Sequence, residues 1–151
     1  MSEISESIQA KCLAFGDRII KLNDYLLEQA ACKIYDGRGD KNDVKSHHTS
    51  NIKHYTSRVP VYLQSVAVLS NQLLRAGTSI GANNAEATSA ISKADFKSKS
   101  YIALKEARES LYWLELLHRN NYLTDVQFNS LNSDCEELVK VLTHRCKKLD
   151  E

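Results

Sequence analysis

The residues best suited to chemistry in this sequence fall in two short stretches: Asn83, Asn84 and Glu86, and then Lys105, Glu106, Arg108 and Glu109. Carboxylate, amide and guanidinium groups of this kind on facing helices can form a charge-assisted hydrogen-bond network. We therefore expect a structural polar network of Asn83, Glu86, Arg108 and Glu109. The same groups in a pocket could hold a ligand. Acid–base catalysis would need one of them in a cleft with a displaced pKa, and spacing alone supplies no such cleft. Lys97 and Lys99 precede this stretch, so Lys97, Lys99, Lys105 and Arg108 are candidate phosphate contacts on one helix. The plain alternative is that they are solvated surface cations.

Metal and nucleophile chemistry find less support. A di-metal helical bundle takes Glu-x-x-His pairs from two helices, and Glu115-Leu116-Leu117-His118 is the single such quartet. His47, His48 and His54 match no zinc-ligand spacing. Cys12, Cys32, Cys135 and Cys146 form no CxxC pair and read as small apolar residues of helices. Phosphate-loop, dinucleotide-binding and nucleophile-elbow patterns are absent from the sequence. These observations predict no catalytic residues, no metal, no cofactor and no enzyme.

The elements that carry these residues are helices. Ile4, Ile8, Cys12, Phe15, Ile19, Leu22 and Leu26 recur at intervals of three and four, which predicts a first helix ending near Cys32. Gly16 interrupts the pattern, so the first dozen residues could be a frayed extension. Residues 34–58 contain Asp36-Gly37-Arg38-Gly39-Asp40 and a polar run with Tyr35 and Tyr55, and are expected to be a long, mobile, mildly basic loop. Pro60 suits the first turn of a second helix from Val61 to about Ala90. Ser92 to Asp95 and Thr124 to Gln127 read as capping boxes that open a third and a fourth helix. The fourth repeats Phe128, Leu131, Cys135, Leu138, Leu142, Cys146 and Leu149, and ends in Lys140, His144, Arg145, Lys147 and Lys148. Those cations complement the helix dipole, or form a phosphate-binding end.

Gly77, Gly81 and Ala85 fall four apart on the second helix. Each glycine costs an isolated helix up to about 1 kcal/mol, which close packing against a neighbouring backbone would offset. On the third helix Tyr101, Tyr112 and Trp113 widen the apolar surface beyond what one bundle core needs, which suggests a contact with the loop or with another subunit. Short connections make the last three helices antiparallel neighbours. The fold class predicted is all-α, an antiparallel up-down-up-down four-helix bundle, in a single domain spanning residues 1–151.

Twenty Lys and Arg against nineteen Asp and Glu leave a net charge of +1, so no global field drives the chain onto nucleic acid or membrane. Any such binding has to be local. Residues 92–123 carry six Lys or Arg against four acids, a modest basic band. No stretch approaches the roughly 18 apolar residues that span a bilayer, and the first residues lack a secretory signal pattern, so a cytoplasmic location is expected.

The run from Gln72 to Ala87, Ser92 to Phe96, Ile102 to Glu109 and Tyr112 to Leu117 resembles the bacterial four-helix-bundle family encoded in intervening sequences of large-subunit ribosomal RNA genes. The likeness extends over about Phe15–Leu27 and Leu69–Leu149. Two departures are Asn84, where Ile is expected, and residues 34–58, which look like an insertion. The resemblance implies a left-handed bundle that assembles as a homopentamer, with no established enzymatic activity. A related branch comprises accessory proteins of diversity-generating retroelements, which bind nucleic acid and a reverse transcriptase. Two functions follow as expectations. One is a non-enzymatic oligomeric scaffold associating with ribosomal RNA or other nucleic acid, RNA or DNA. The other is a protein-binding adaptor, such as a reverse-transcriptase accessory protein. No membrane partner is expected.

Overall fold

The computed structural model describes residues 3–36 and 61–151. They form four α-helices: α1 (Glu3–Asp36), α2 (Val61–Thr88), α3 (Lys93–Arg119) and α4 (Asp125–Lys148), with no strand among the described residues. α1 runs unbroken through Gly16 and extends past Cys32 to Asp36. The expected loop therefore starts too early, because residues 34–36 are helical. Residues 37–60 lie outside the described residues, and with them the expected mobility, the three loop histidines and Tyr55.

The three-and-four spacing of α1 becomes one buried face, in which Ile8, Cys12, Phe15, Ile19, Leu22 and Leu26 all enter the core. They meet Val66, Leu73 and Ile80 of α2, Ala103, Leu104, Ala107, Leu114 and Leu117 of α3, and Leu131, Cys135, Leu138, Leu142 and Cys146 of α4. Burying each large apolar side chain contributes roughly 1.5–3 kcal/mol. That exceeds what an exposed ion pair supplies, typically about 0.2–1 kcal/mol, so the apolar faces hold the bundle and the surface charges adjust it.

Gly77 faces Ile19 and Gly81 faces Cys12. The later α2 position meets the earlier α1 position, so these two helices are antiparallel. A Cβ at Gly77 would stand 3.1 Å from Ile19 Cγ1, and one at Gly81 would stand 3.4 Å from Cys12 Cβ. The glycines thus permit the close approach expected of them. Ala85 differs, because it lies exposed.

On the opposite side α1 meets α4 through Lys11 and Glu137, 2.7 Å apart, and through Arg18, which pairs with Asp134 and donates to Ser130 Oγ at 2.9 Å. The order is again reversed, so α4 also runs against α1. With α2 packed on α3 and α3 on α4, the helices follow one another around the core.

The ends of α3 and α4 explain their boundaries. Ser92 Oγ accepts from the Asp95 N–H at 3.1 Å, but the Asp95 carboxylate accepts from Ile91 rather than from Ser92, so only half of the expected capping box forms. At Thr124 both halves form with Gln127. Between them, Asn121 takes φ of 59°, and the Asn121 and Tyr122 N–H groups donate to the His118 and Leu117 carbonyls. This pattern closes a helix with a left-handed residue, for which Asn is well suited after Gly. His118 stacks on Phe128 at 4.2 Å, with Nε2 2.8 Å from Asp125 Oδ1, which ties the end of α3 to the start of α4.

Candidate nucleic-acid interface

The four candidate cations of α3 separate into two pairs. Lys97 lies 2.7 Å from Asp150, which also accepts from the Tyr101 hydroxyl. Hydrogen bonds from Lys97 and then Tyr101 hold the Asp150 carboxyl below the usual carboxylate range. Lys99 pairs with Glu86, whose hydrogen bond raises the lysine's pKa. These two lysines are therefore already neutralised within the chain.

Lys105 and Arg108 are not. Both are exposed, and with Lys147 of α4 they line a cleft of about 340 Å³ floored by Leu104 and Cys146 and edged by Tyr101 and Thr143. None of the three makes an ion pair among the described residues. A concave surface carrying three cations concentrates positive potential where an anion can sit, although Glu106 lies close enough to Lys105 to offset part of it. Arg108 supplies a planar fork that can grip phosphate through two hydrogen bonds, and the two lysines act as point charges. Lys147, which the sequence offered as part of the basic end of the last helix, completes a site that α3 only begins.

The expected network of Asn83, Glu86, Arg108 and Glu109 does not form. Asn83 donates to the Ser79 carbonyl of its own helix, Glu86 pairs with Lys99, Glu109 accepts from the Trp113 indole, and Arg108 faces the cleft. The buried polar cluster is built instead on Asn84, which is fully buried. Its amide donates to Gln9 of α1, and its carbonyl oxygen accepts from Arg145 of α4 at 2.7 Å. The Arg145 guanidinium also lies 5.7 Å from the centre of the Phe96 ring. One amide thereby links α1, α2 and α4, while the cation–π contact adds α3. The sequence held a signal for this. Asn84 continues the buried series Leu73, Ile80 and Ala87, so a polar group had to sit in an apolar stripe and find partners there.

Arg145 is partly desolvated, which lowers its pKa without discharging a guanidinium. Burial pushes the Cys12 thiol up to about 11 despite the opposing field of Arg145, and the Cys135 thiol up to about 12. Cys146 is raised for the same reason. These thiols are neutral near pH 7, and the thiolate is the nucleophilic form, so they read as packing groups. Among the described residues, no group of three or more His, Cys, Asp and Glu side chains is placed to hold a metal. His118 of the Glu-x-x-His quartet is engaged with Asp125, and Glu115 lies 4.0 Å from Arg119. No described helix is long and apolar enough to cross a membrane.

A family model described as the 23S rRNA-intervening sequence protein matches residues 46–144, which contain all of α2 and α3 and most of α4. The chain belongs to that family. A crystal structure from Bacteroides thetaiotaomicron, described as a protein of unknown function from the S23 ribosomal protein family, is similar over 95% of this chain and 98% of its own. The two share 36% identity and a TM-score of 0.70, so the likeness includes α1 as well as the family-matched helices. A search of curated proteins found none that matches. Neither the family description nor that neighbour's description names an enzymatic activity.

Proposed function

We propose that this member of the 23S rRNA-intervening sequence protein family is a non-enzymatic, homo-oligomeric scaffold that associates with ribosomal RNA or another nucleic acid through the cleft between α3 and α4. The observation that carries this reading is the convergence of Lys105, Arg108 and Lys147, from two helices, with no carboxylate paired to them among the described residues. The family's description names an intervening sequence of 23S rRNA and no ligand, so the RNA partner rests on the cleft. Net charge of +1 keeps the affinity of one copy low, because binding to a polyanion scales with the phosphates neutralised. Several copies in one assembly would raise it by presenting several clefts to the same strand.

Assembly is supported by exposed apolar side chains, Tyr101, Ile102 and Tyr112 on α3 and Val68 on α2. Five copies is the number that the family resemblance implies. The same exposed apolar side chains favour the second reading, an adaptor that binds a different protein such as a polymerase.

Light scattering at low and high salt, with and without a structured RNA fragment, separates these readings. The proposal expects a mass of about five times 17.0 kDa, increasing with RNA only at low salt. A monomer that ignores RNA would sink the scaffold reading and leave the adaptor.

A further inference from the structure

The basic cleft between α3 and α4 has one lining residue that phosphate contacts leave unused. Tyr101 stands at its edge, 39% exposed, on the same face of α3 as Lys105 and Arg108, which follow it by four and seven residues. Its ring is tethered. The hydroxyl donates to Asp150 Oδ2 at 2.5 Å, and Lys97 lies 2.7 Å from the other oxygen of that carboxylate, so the far end of the phenol is fixed while part of the ring stays open beside the cations. Among the exposed apolar side chains of α3, Tyr101 lines the cleft, whereas Ile102 and Tyr112 do not. The cleft lies toward the start of α3 and the end of α4. Residues 37–60 leave α1 and enter α2 at the opposite end of the bundle.

A lone phosphate would use the cations and leave the ring idle, and an apolar ligand would do the reverse. A planar base carried next to phosphates uses both. In a duplex the bases are paired and stacked inside, out of reach of such a ring, whereas a single strand can turn a base out onto it. A cationic groove combined with an aromatic platform is the physical requirement for holding a single strand, because every base has a face to stack. A ring already held in place loses less freedom on binding than a mobile one. Electrostatics alone would favour the duplex, which carries the denser line of phosphates. A preference for the single strand therefore reports contact with a base.

We propose that the cleft is a single-strand site, in which an unpaired base of the RNA stacks on Tyr101 while the flanking phosphates meet Lys105, Arg108 and Lys147. This rests on the nucleic-acid reading of the cleft and adds to it the form of strand that the cleft takes.

The test is fluorescence anisotropy on the full chain with three labelled probes of one sequence: a single-stranded RNA, its duplex, and the strand with abasic sites, each over a salt series. The single strand should bind more tightly than the other two. Tyr101→Leu should weaken it by about tenfold, to the level of the abasic strand, while leaving the salt slope, the duplex affinity and the mass by light scattering unchanged. Tyr101→Phe loses the same bond to Asp150 but keeps the ring, and should bind the single strand within about threefold of the unaltered protein. No salt-dependent binding of any probe overturns this inference and the cleft reading together. Salt-dependent binding that is equal for duplex and single strand, or that Tyr101→Leu leaves unchanged, overturns this inference alone. So does displacement of the strand by a free mononucleotide at an equal concentration of nucleotide units, which would make the free nucleotide the ligand. A lower mass for Tyr101→Leu assigns the ring to a contact between copies and overturns it as well.

Discussion

From the end of the bundle where α2 stops and α3 starts to the middle of α3, polar side chains are charged: Arg145 is held on a buried amide, Lys97 and Lys99 are held on carboxylates, and Lys105, Arg108 and Lys147 make no ion pair among the described residues. At the other end, where α3 turns into α4, the turn is closed by backbone caps, a neutral capping box and a stacked histidine. The difference shows how one small core supports two surfaces. Charge that is fixed by internal partners shapes the first end, and the unpaired remainder is available to an anion. The second end satisfies its backbone locally, through the Asn121 turn and the Thr124 box.

If the charged end depends on Asn84, replacing that residue should cost the most. Asn84→Leu removes the acceptor of Arg145 and the donor to Gln9, leaving a guanidinium part-buried without its partner. We expect a loss of roughly 2 kcal/mol in urea unfolding. At the neutral end, Thr124→Ala breaks a capping box and should cost about 1 kcal/mol. If the order of the two losses were reversed, the contrast between the ends would be wrong.

Between the two ends, a Cβ added at Gly16 would meet no neighbour within 4 Å, unlike one at Gly77, which would press on Ile19. Gly16→Ala should therefore stabilise the fold by roughly 0.5–1 kcal/mol through helix propensity, measured by the same unfolding curves. The smallest effect concerns pH. Asp150 has a depressed pKa, so the stability contributed by its bonds to Lys97 and Tyr101 is present above about pH 4 and is lost as pH falls through the lower folded value. NMR signals of residues 149–151 should loosen on acidification, and Asp150→Asn should remove that transition while leaving the core signals unmoved.

Much of the fold was legible because helix periodicity and caps are local. The stripes of α1 and α4, the Thr124 box and the glycine approach of α2 to α1 all follow from spacing along one helix. The site was legible only in part. Lys105 and Arg108 could be singled out from α3, but their separation from Lys97 and Lys99 depends on Asp150 and Glu86, which arrive from other elements. Arg145 reads as one more cation at a helix end until the register between α2 and α4 places it on Asn84. Sequence spacing fixes which residues share a helix face, and leaves open which residue of the next helix they meet.

Whether Lys105, Arg108 and Lys147 contact phosphate is tested most directly by the salt dependence of binding. For a single-stranded RNA fragment, each phosphate contact adds about 0.7 to the slope of log affinity against log salt. The protein with Lys105→Ala, Arg108→Ala and Lys147→Ala should bind more weakly at low salt and lose about 2 from that slope. An unchanged affinity and slope would contradict phosphate binding in the cleft.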